Sequence, residues 1–553
     1  MTGVRRMEKA SDGPPLGLPV ADLSSCGASA SADLRLIENV LRHVNSGRPA
    51  LDIGGRLYGY DELVDIARRW AACLRDVARG RPRRVGILAY RSETSYVGVL
   101  ASLFAGAAFV PLNPRLPPLR TSHMMDWAEL DAVLVGSEAS SCLEDVLDGL
   151  THIPPLLLPG GEASDFRHLR SSAITGREAM LRVPPATELP IVSTDDPAYL
   201  LFTSGSTGFP KCVVVTHANL NSFLATNIQH YGLTPDDRLT QSFDQTFDLS
   251  VFDLFMAWHS GACVCAMQPI ELLAPFRFLS DHRVTVWFSV PSVAASLAER
   301  GLLVPGCMPT LRWSLFCGEA LRRTTAEAWQ AAAPESRLEN LYGPTELTVA
   351  CAAYRWDPHT SPGQCEHEVV PIGTIYEGLT VIIVDTKLRE VPRGEPGELC
   401  VSGPQTFPGY WRDPAATTAS VFDRLGHDGV LRRYYRTGDI VAQRVGHMVF
   451  LGRSDRQIKR GGYRVELGEI EAALLRAGAT EAVAFAWPDE QRPDYIVAAV
   501  RGGDPGDLSD RLASVLPGYM MPRSILQFAH FPRSSHGKID RAELRRMIAG
   551  RHP

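Results

Sequence analysis

The sequence holds no apolar run of the roughly 18 residues that a membrane-crossing helix needs, so it offers no candidate span. It has no Cys-x-x-Cys pair. Eleven cysteines are scattered from Cys26 to Cys400, and only Cys263 and Cys265 lie close together. That spacing provides neither a zinc set nor a redox dithiol, so the thiols read as small buried hydrophobes in a reducing compartment. An excess of positive charge is missing too: 56 Lys and Arg stand against 62 Asp and Glu, a formal net charge of -6. This removes the electrostatic footprint that nucleic-acid binding through a basic face requires. The first residues, MTGVRRMEKASDGPP, carry two arginines with no apolar stretch behind them, which excludes a secretory signal. The expected location is the cytoplasm. Nor is there an internal repeat or low-complexity segment in the body of the chain.

What is present is a long chain of ordinary globular composition. At 553 residues it exceeds a single core, so at least two domains are expected. Residues 1–32 are rich in Gly, Ser, Ala and Pro and are expected to form a poorly ordered tail. A helical pattern starts at Leu34 (LRLIENVLRHV), a hairpin-like turn follows at Gly54-Gly55, and an amphipathic helix spans Tyr60 to Val77. RRVGILAYRS reads as a buried strand and SYVGVLASLFAGAAF as a helix, with short strands in DAVLVGS and PPLLLPG. Strand and helix patterns alternate to about residue 350, which predicts layered α/β structure. Short strands with Gly and Pro turns dominate from 370 to 450 and predict a β-rich module. Beyond Gly452 come a helix (Glu466 to Ala477), two strands (EAVAFAW, YIVAAV) and a helix (LSDRLASVL), a small α+β unit. The predicted fold class is therefore α/β, a large N-terminal domain of layered subdomains plus the β-rich module, followed by a small C-terminal α+β domain.

The most informative stretch is Tyr199-Leu-Leu-Phe-Thr-Ser-Gly-Ser-Thr-Gly-Phe-Pro-Lys211. An apolar strand runs into a loop that holds four hydroxyls and two glycines within six residues. Glycines admit close approach of backbone to ligand, and amides and hydroxyls donate to phosphate oxygens. The order is not that of a Walker loop, which ends in GK[ST] and opens a helix. Four further segments follow in the chain: Asn340-Leu-Tyr-Gly-Pro-Thr-Glu346, Tyr435-Arg-Thr-Gly-Asp439, Gly452-Arg-Ser-Asp-Arg-Gln-Ile-Lys-Arg-Gly-Gly-Tyr-Arg-Val-Glu466 and Ser534-Ser-His-Gly-Lys-Ile-Asp540. Read alone, each would pass as a structural turn or a basic linker. In this order and spacing they resemble the adenylate-forming superfamily of acyl-CoA synthetases, luciferases and peptide-synthetase adenylation domains. The resemblance covers roughly residues 35 to 550. One departure is Cys212, which follows the lysine where the family usually has glycine.

The resemblance implies an ATP-dependent, AMP-forming ligase that needs Mg2+. It implies that Thr203, Ser204, Gly205, Ser206, Thr207, Gly208 and Lys211 hold phosphates, and that Gly318, Glu319, Asn340, Tyr342, Gly343, Thr345, Asp439 and Arg453 contact the rest of the nucleotide. Tyr342 offers a flat face for adenine, Asp439 can accept from ribose hydroxyls, and Glu346 with Thr207 would ligate the metal. Lys538 is the implied catalytic cation, with Glu346 and Thr207 as its catalytic companions. The implied organisation is a core domain 33–452, a hinge 453–456 centred on Asp455, and a small C-terminal domain 457–553 carrying Lys538. Gly461 and Gly462 match a loop that meets an incoming thiol after the small domain rotates.

Acyl-CoA synthetases share all of this, so the acid is argued separately. In Thr246-Phe-Asp-Leu-Ser-Val-Phe-Asp-Leu-Phe255, Asp248 falls where amino-acid-activating members carry an aspartate for the substrate ammonium. A buried carboxylate facing a pocket needs a cation to offset its desolvation, whereas a helix cap would be the alternative role for this aspartate or for Asp253. Carried over by register, the family's pocket positions are Leu249, Phe252, Phe288, Leu315, Cys317, Leu341, Val349 and Ala350. None bears a charge or an amide, so an apolar, uncharged side chain is expected. The neighbourhood looks most like free-standing prolyl-carrier-protein ligases, which makes proline the first expectation, with alanine or another small aliphatic residue as the alternative. An acyl-CoA or aryl-CoA ligase is the further alternative. Only 15 residues follow Lys538 and no HHxxxD motif occurs, so a separate phosphopantetheinylated carrier protein is the expected partner of a monomeric enzyme in natural-product assembly. Lys538→Ala is expected to abolish adenylate formation while leaving ATP binding largely intact, read by pyrophosphate exchange alongside nucleotide titration.

Overall fold

A computed structural model describes residues 36–166, 173–205, 209–489, 493–534 and 538–550. The expected tail 1–32 lies outside the described residues. Two large sheets organise the first part of the chain. One has nine strands in the spatial order 374–375, 352–355, 337–342, 313–316, 286–289, 238–241, 263–266, 49–53 and 56–59. Strands 337–342 through 49–53 are parallel; 56–59 closes one flank antiparallel, and on the other 352–355 and 374–375 each run antiparallel to the strand before. The second has seven strands in the order 174–176, 156–158, 132–135, 84–88, 108–112, 197–203 and 211–216, all parallel except the last pair. Inner strands such as Arg84–Leu88 and Ala108–Leu112 are buried along their whole length, as expected when helices cover both faces of a parallel sheet.

The helices between the sheets follow from their sequences. Tyr60–Val77 is the expected amphipathic helix, with Asp61 and Glu62 in its first turn and Arg75 in its last, the polarity the helix dipole favours. Glu93–Ala105 and Leu249–Ser260 are apolar nearly all round and form the shared centre of the largest core. The first of these is shorter than the pattern suggested. Gly106, at φ 85°, ends it in a left-handed cap, and Ala108–Phe109 already belong to the next strand. The hairpin at Gly54-Gly55 is present, both glycines having positive φ.

The β-rich module consists of strands 380–384, 397–402, 431–443 and 421–425 in that order, with 448–453 paired to 431–443. After it, Gln457–Arg460 and Tyr463–Glu466 form a two-stranded hairpin. Glu481–Pro488, Pro493–Arg501 and Ser524–Gln527 form a three-stranded sheet carrying the helix Leu467–Arg476. The last expected helix is shifted toward the N-terminus, to Pro505–Ala513, because Asp504 caps it through the Gly506 and Asp507 amides and Pro505 suits its first position. These elements bury clusters of their own, one around Ile458, Leu467, Ile470 and Ile496 and one around Phe485, Val497 and Leu544. No described helix is long and apolar enough to cross a membrane.

A second core under the nine-stranded sheet rests on stacked aromatics. Trp329 is fully buried between Trp287 and Phe316, with ring centroids 5.2 Å from each, and its Nε1–H donates to Ser314 Oγ at 2.8 Å. Trp329→Ala leaves a cavity and removes one of the two partners of the buried Ser314 hydroxyl. It is expected to cost about 3–5 kcal/mol of stability, measured by denaturant unfolding of the region.

Candidate active site

Three strands end at one place. The chain leaves Pro197–Thr203 at Ser204, Trp313–Phe316 just before Gly318, and Arg337–Tyr342 at Gly343. All three following residues line a cavity of about 110 Å³. Carboxyl ends of parallel strands are where open α/β sheets bind ligands, since no side-chain layer covers the backbone there. The wall also includes Thr203, Thr345, Asp248, Leu249, Asp439 and Arg453.

The loop after Thr203 is the tip of an antiparallel hairpin in which Thr203 opposes Lys211. Gly205 is required: a Cβ there would stand 1.9 Å from the Phe209 carbonyl oxygen. Thr203 Oγ1 is buried with no hydrogen-bond partner, a spare donor beside the cavity. Lys211 sits with its ammonium 5.3 Å from the centre of the Tyr410 ring. Cys212, the departure from the family pattern, is buried on the strand, and its carbonyl accepts from the Trp411 N–H at 2.7 Å. Ser206, Thr207 and Gly208 lie outside the described residues.

Glu346 is fully buried. Both of its oxygens accept from Arg464 Nη1, at 3.1 and 2.9 Å, and Oε1 also accepts from Tyr410 Oη at 2.7 Å. Burial pushes its pKa up, but Arg464, Tyr410 and Lys211 outweigh this and hold the carboxyl below the ordinary range. An ionised, dry carboxylate is the donor a hard cation takes, and here a guanidinium from the C-terminal hairpin fills that role. Asp439 accepts from Tyr342 Oη and from Arg453 Nη1, each at 2.5 Å. Arg453 also binds both Asp455 oxygens, at 2.7 and 2.8 Å, so it joins the expected ribose ligand to the expected hinge residue.

Asp248 occupies the N-cap position of Leu249–Ser260 but makes no side-chain cap bond. One of its carboxylate oxygens is buried without any partner. Burial pushes its pKa up to about 7, aided by the neighbouring Glu346 charge and opposed by hydrogen bonds from Thr345 and the backbone. The capping role is therefore not what holds it there; it is an acceptor aimed into a dry site. Asp253 is also fully buried and caps nothing.

The structure does not bring every predicted residue to the cavity. Leu249 lines it beside Asp248, whereas Phe252, Phe288, Leu315, Cys317, Leu341, Val349 and Ala350 are buried in the core behind. Phe252 packs edge-on against Phe288, with centroids 5.0 Å apart. Asn340 anchors the strand end by donating to the Pro371 carbonyl at 2.9 Å. Tyr342 is buried, with the Lys459 ammonium 5.9 Å from its ring centre. Glu319 faces a larger groove of about 850 Å³ and accepts from the Gly462 N–H at 2.7 Å and the Ser292 N–H at 2.9 Å. Lys538 is exposed and is not part of the cavity wall.

The place near the expected nucleotide residues is taken instead by the turn Gly461–Arg464. Gly462, Tyr463 and Arg464 line the cavity, and Ser204 Oγ donates to the Arg464 carbonyl at 2.7 Å. Tyr463 packs against Phe247 and stacks on Tyr519 at 3.6 Å. Sequence reasoning singled out the two glycines of this segment but passed over Lys459, Tyr463 and Arg464. The signal was in the spelling Lys459-Arg-Gly-Gly-Tyr-Arg464, where cations flank a turn able to point them at an anionic site.

The profile of the family described as AMP-binding enzyme matches residues 38–411. The chain is 32% identical over 505 residues to an L-proline–[L-prolyl-carrier protein] ligase of Pseudomonas fluorescens, covering 89% of this chain and 94% of that one. It is 34% identical over 496 residues to a probable non-canonical nonribosomal peptide synthetase, CymA, of Salinispora arenicola. That match takes in 88% of this chain but only 6% of the synthetase, so the chain spans a small part of some curated relatives. Among solved structures, the adenylation domain AlmE of Vibrio cholerae in complex with glycyl-adenosine-5'-phosphate aligns with a TM-score of 0.81 at 30% identity. That alignment covers 95% of this chain and 99% of that one.

The Asp248 carboxylate, with one oxygen unpartnered, has a measurable consequence for the ligand-free protein. With its folded pKa near 7 and an unfolded value near 4, the native state binds the extra proton. Stability is then greatest below the unfolded pKa and falls as pH rises toward 7. Asp248→Asn should gain on the native protein as pH increases, by roughly 2 kcal/mol more at pH 7.5 than at pH 5.5, read by urea denaturation at the two values.

Proposed function

The chain belongs to the AMP-binding enzyme family, and from that premise we propose that it activates an amino acid as its aminoacyl-adenylate and passes it to the phosphopantetheine thiol of a separate carrier protein. The observation that carries this reading is the buried Asp248 carboxylate, one oxygen unpartnered, at the wall of a cavity that also holds the phosphate-loop residues. A substrate ammonium is the cation that would repay its desolvation. A fatty or aryl acid has none to offer.

The substrate carboxylate attacks the α-phosphorus, and pyrophosphate leaves. Thr203, Ser204, Gly205 and Lys211, with Ser206, Thr207 and Gly208, align the phosphates, and Asp439 accepts from the ribose hydroxyls. Magnesium, held by Glu346 and Thr207, would neutralise charge on the departing phosphates; the ionised, buried state of Glu346 fits that role once Arg464 withdraws. Lys538 would touch both carboxylate and phosphate, a task suited to a compact ammonium on a flexible stem. For this, the small domain 457–553 must turn about the hinge 453–456 and bring Lys538 inward. In the return movement the thiol sulfur bonds to the acyl carbon, the acyl–oxygen bond breaks, and AMP leaves with the electron pair. The docked Gly461–Arg464 turn supports assigning the arrangement described here to that second step.

The substrate side chain is read as apolar. Leu249 lies beside Asp248 on the cavity wall, and the layer behind that wall, Phe252, Phe288, Leu315, Cys317, Leu341, Val349 and Ala350, holds no charged or amide group. Proline is the preferred substrate, a choice supported by the named activity of the Pseudomonas relative, with alanine or another small aliphatic residue as the alternative. Pyrophosphate exchange into ATP, measured across the common amino acids plus fatty and aryl acids, should respond most strongly to proline. Asp248→Asn should cut kcat/KM for it by about 100-fold or more. Exchange with a fatty or aryl acid alone, or full activity in Asp248→Asn, would sink the reading.

A further inference from the structure

Glu469 has no part in the chemistry above, yet it reaches the phosphate loop. It sits on the helix Leu467–Arg476 and is 1% exposed. Its Oε1 accepts from Arg120 Nη1 at 2.6 Å, and its Oε2 accepts from the Gly205 N–H at 3.1 Å. Arg120, on the helix Pro118–Ala128, is 9% exposed, and it also borders a second cavity of about 200 Å³ that opens on Ser204. A buried guanidinium and a loop amide thus close on one anion.

Resting on the reading of the 203–211 loop as a phosphate site, we propose that Arg120 and the Gly205 N–H form a binding site for the leaving pyrophosphate, which Glu469 occupies when the small domain docks. The physical case is Arg120 itself. Arg120 Nη1 and the Gly205 N–H converge on one position, so withdrawal of Glu469 with the small domain leaves two donors facing a vacated anion position. The site is open then, and the anion produced beside Gly205 is pyrophosphate. Arg464 completes the substitution. Its guanidinium covers both oxygens of Glu346 while its carbonyl takes the Ser204 hydroxyl, so a cation stands at the metal carboxylate, and a neutral carbonyl and the Glu469 anion stand on the loop donors. Docking of the small domain and binding of magnesium pyrophosphate are then mutually exclusive, and the thiol step waits for pyrophosphate to go.

Titration calorimetry of the full chain with magnesium pyrophosphate tests this. Arg120→Gln should weaken binding about tenfold, since a ligand to the anion is lost. Glu469→Gln should tighten it severalfold, since the competitor is lost. A merely structural ion pair would move both variants in the same direction, and that result, or no shift in either, overturns the inference. Hydrogen exchange at residues 463–472 in the native protein gives a second readout independent of any variant's folding. Magnesium pyrophosphate should speed that exchange, and unchanged exchange at saturation overturns the proposal. Failure of the native protein and both variants to bind magnesium pyrophosphate would bring down the phosphate-site reading and the inference with it. Binding that both variants leave unmoved would bring down the inference alone.

Discussion

The ion pair between Glu346 and Arg464 ties the hairpin 457–466 to the loop that follows strand Arg337–Tyr342. Glu346 is fully buried, and a carboxylate taken out of water that far stays ionised only with a positive charge against it. In the arrangement described here the charge comes from Arg464, well over a hundred residues away in sequence, with Tyr410 adding a hydrogen bond. Around this contact the Gly461–Arg464 turn is set: Ser204 bonds the Arg464 backbone, Glu319 bonds the Gly462 amide, and Tyr463 wedges against Phe247. The same demand for a counter-charge explains why Arg453 bridges Asp439 and Asp455, and why Arg120 and Glu469 meet.

One acid escapes this rule. Asp248 keeps an oxygen without a partner in a site where Glu346 and Asp439 each have a guanidinium, and its burial without such a cation is what raises its pKa. Unsatisfied buried groups persist in folded proteins where a ligand completes them. Asp253, five residues on along the same helix, is buried without partners as well, but it does not line the cavity, so exposure to the site and not burial alone separates the two.

Much of the scaffold was legible because its signals are local. The period of Tyr60–Val77, the apolar run of Arg84–Leu88 and the glycines at 54 and 55 each specify their element without outside help. Boundaries slipped where a single residue decided them. Gly106 stopped a helix that the apolar pattern would have continued, and Asp504 with Pro505 started one earlier than the pattern suggested. The pocket list slipped for a different reason. Register gives Phe252 and Phe288 as pocket positions; in the structure their rings pack on each other behind the cavity wall, a contact between a helix and a distant strand that has no counterpart in linear spacing.

The sequence by itself determined the family and the layered α/β architecture, and it singled out loops that meet at the cavity, because strand-to-loop transitions such as those after Thr203 and Tyr342 are written within a few positions. Only the tertiary structure decided which of those residues share a cavity at one time. It placed Arg464 and Lys459 on the cavity wall and Glu469 against Gly205, and left Lys538 off that wall, since the seating of these segments rests on pairs such as Glu346–Arg464 and Arg120–Glu469, 118 and 349 residues apart in sequence. No local pattern records a choice of that kind.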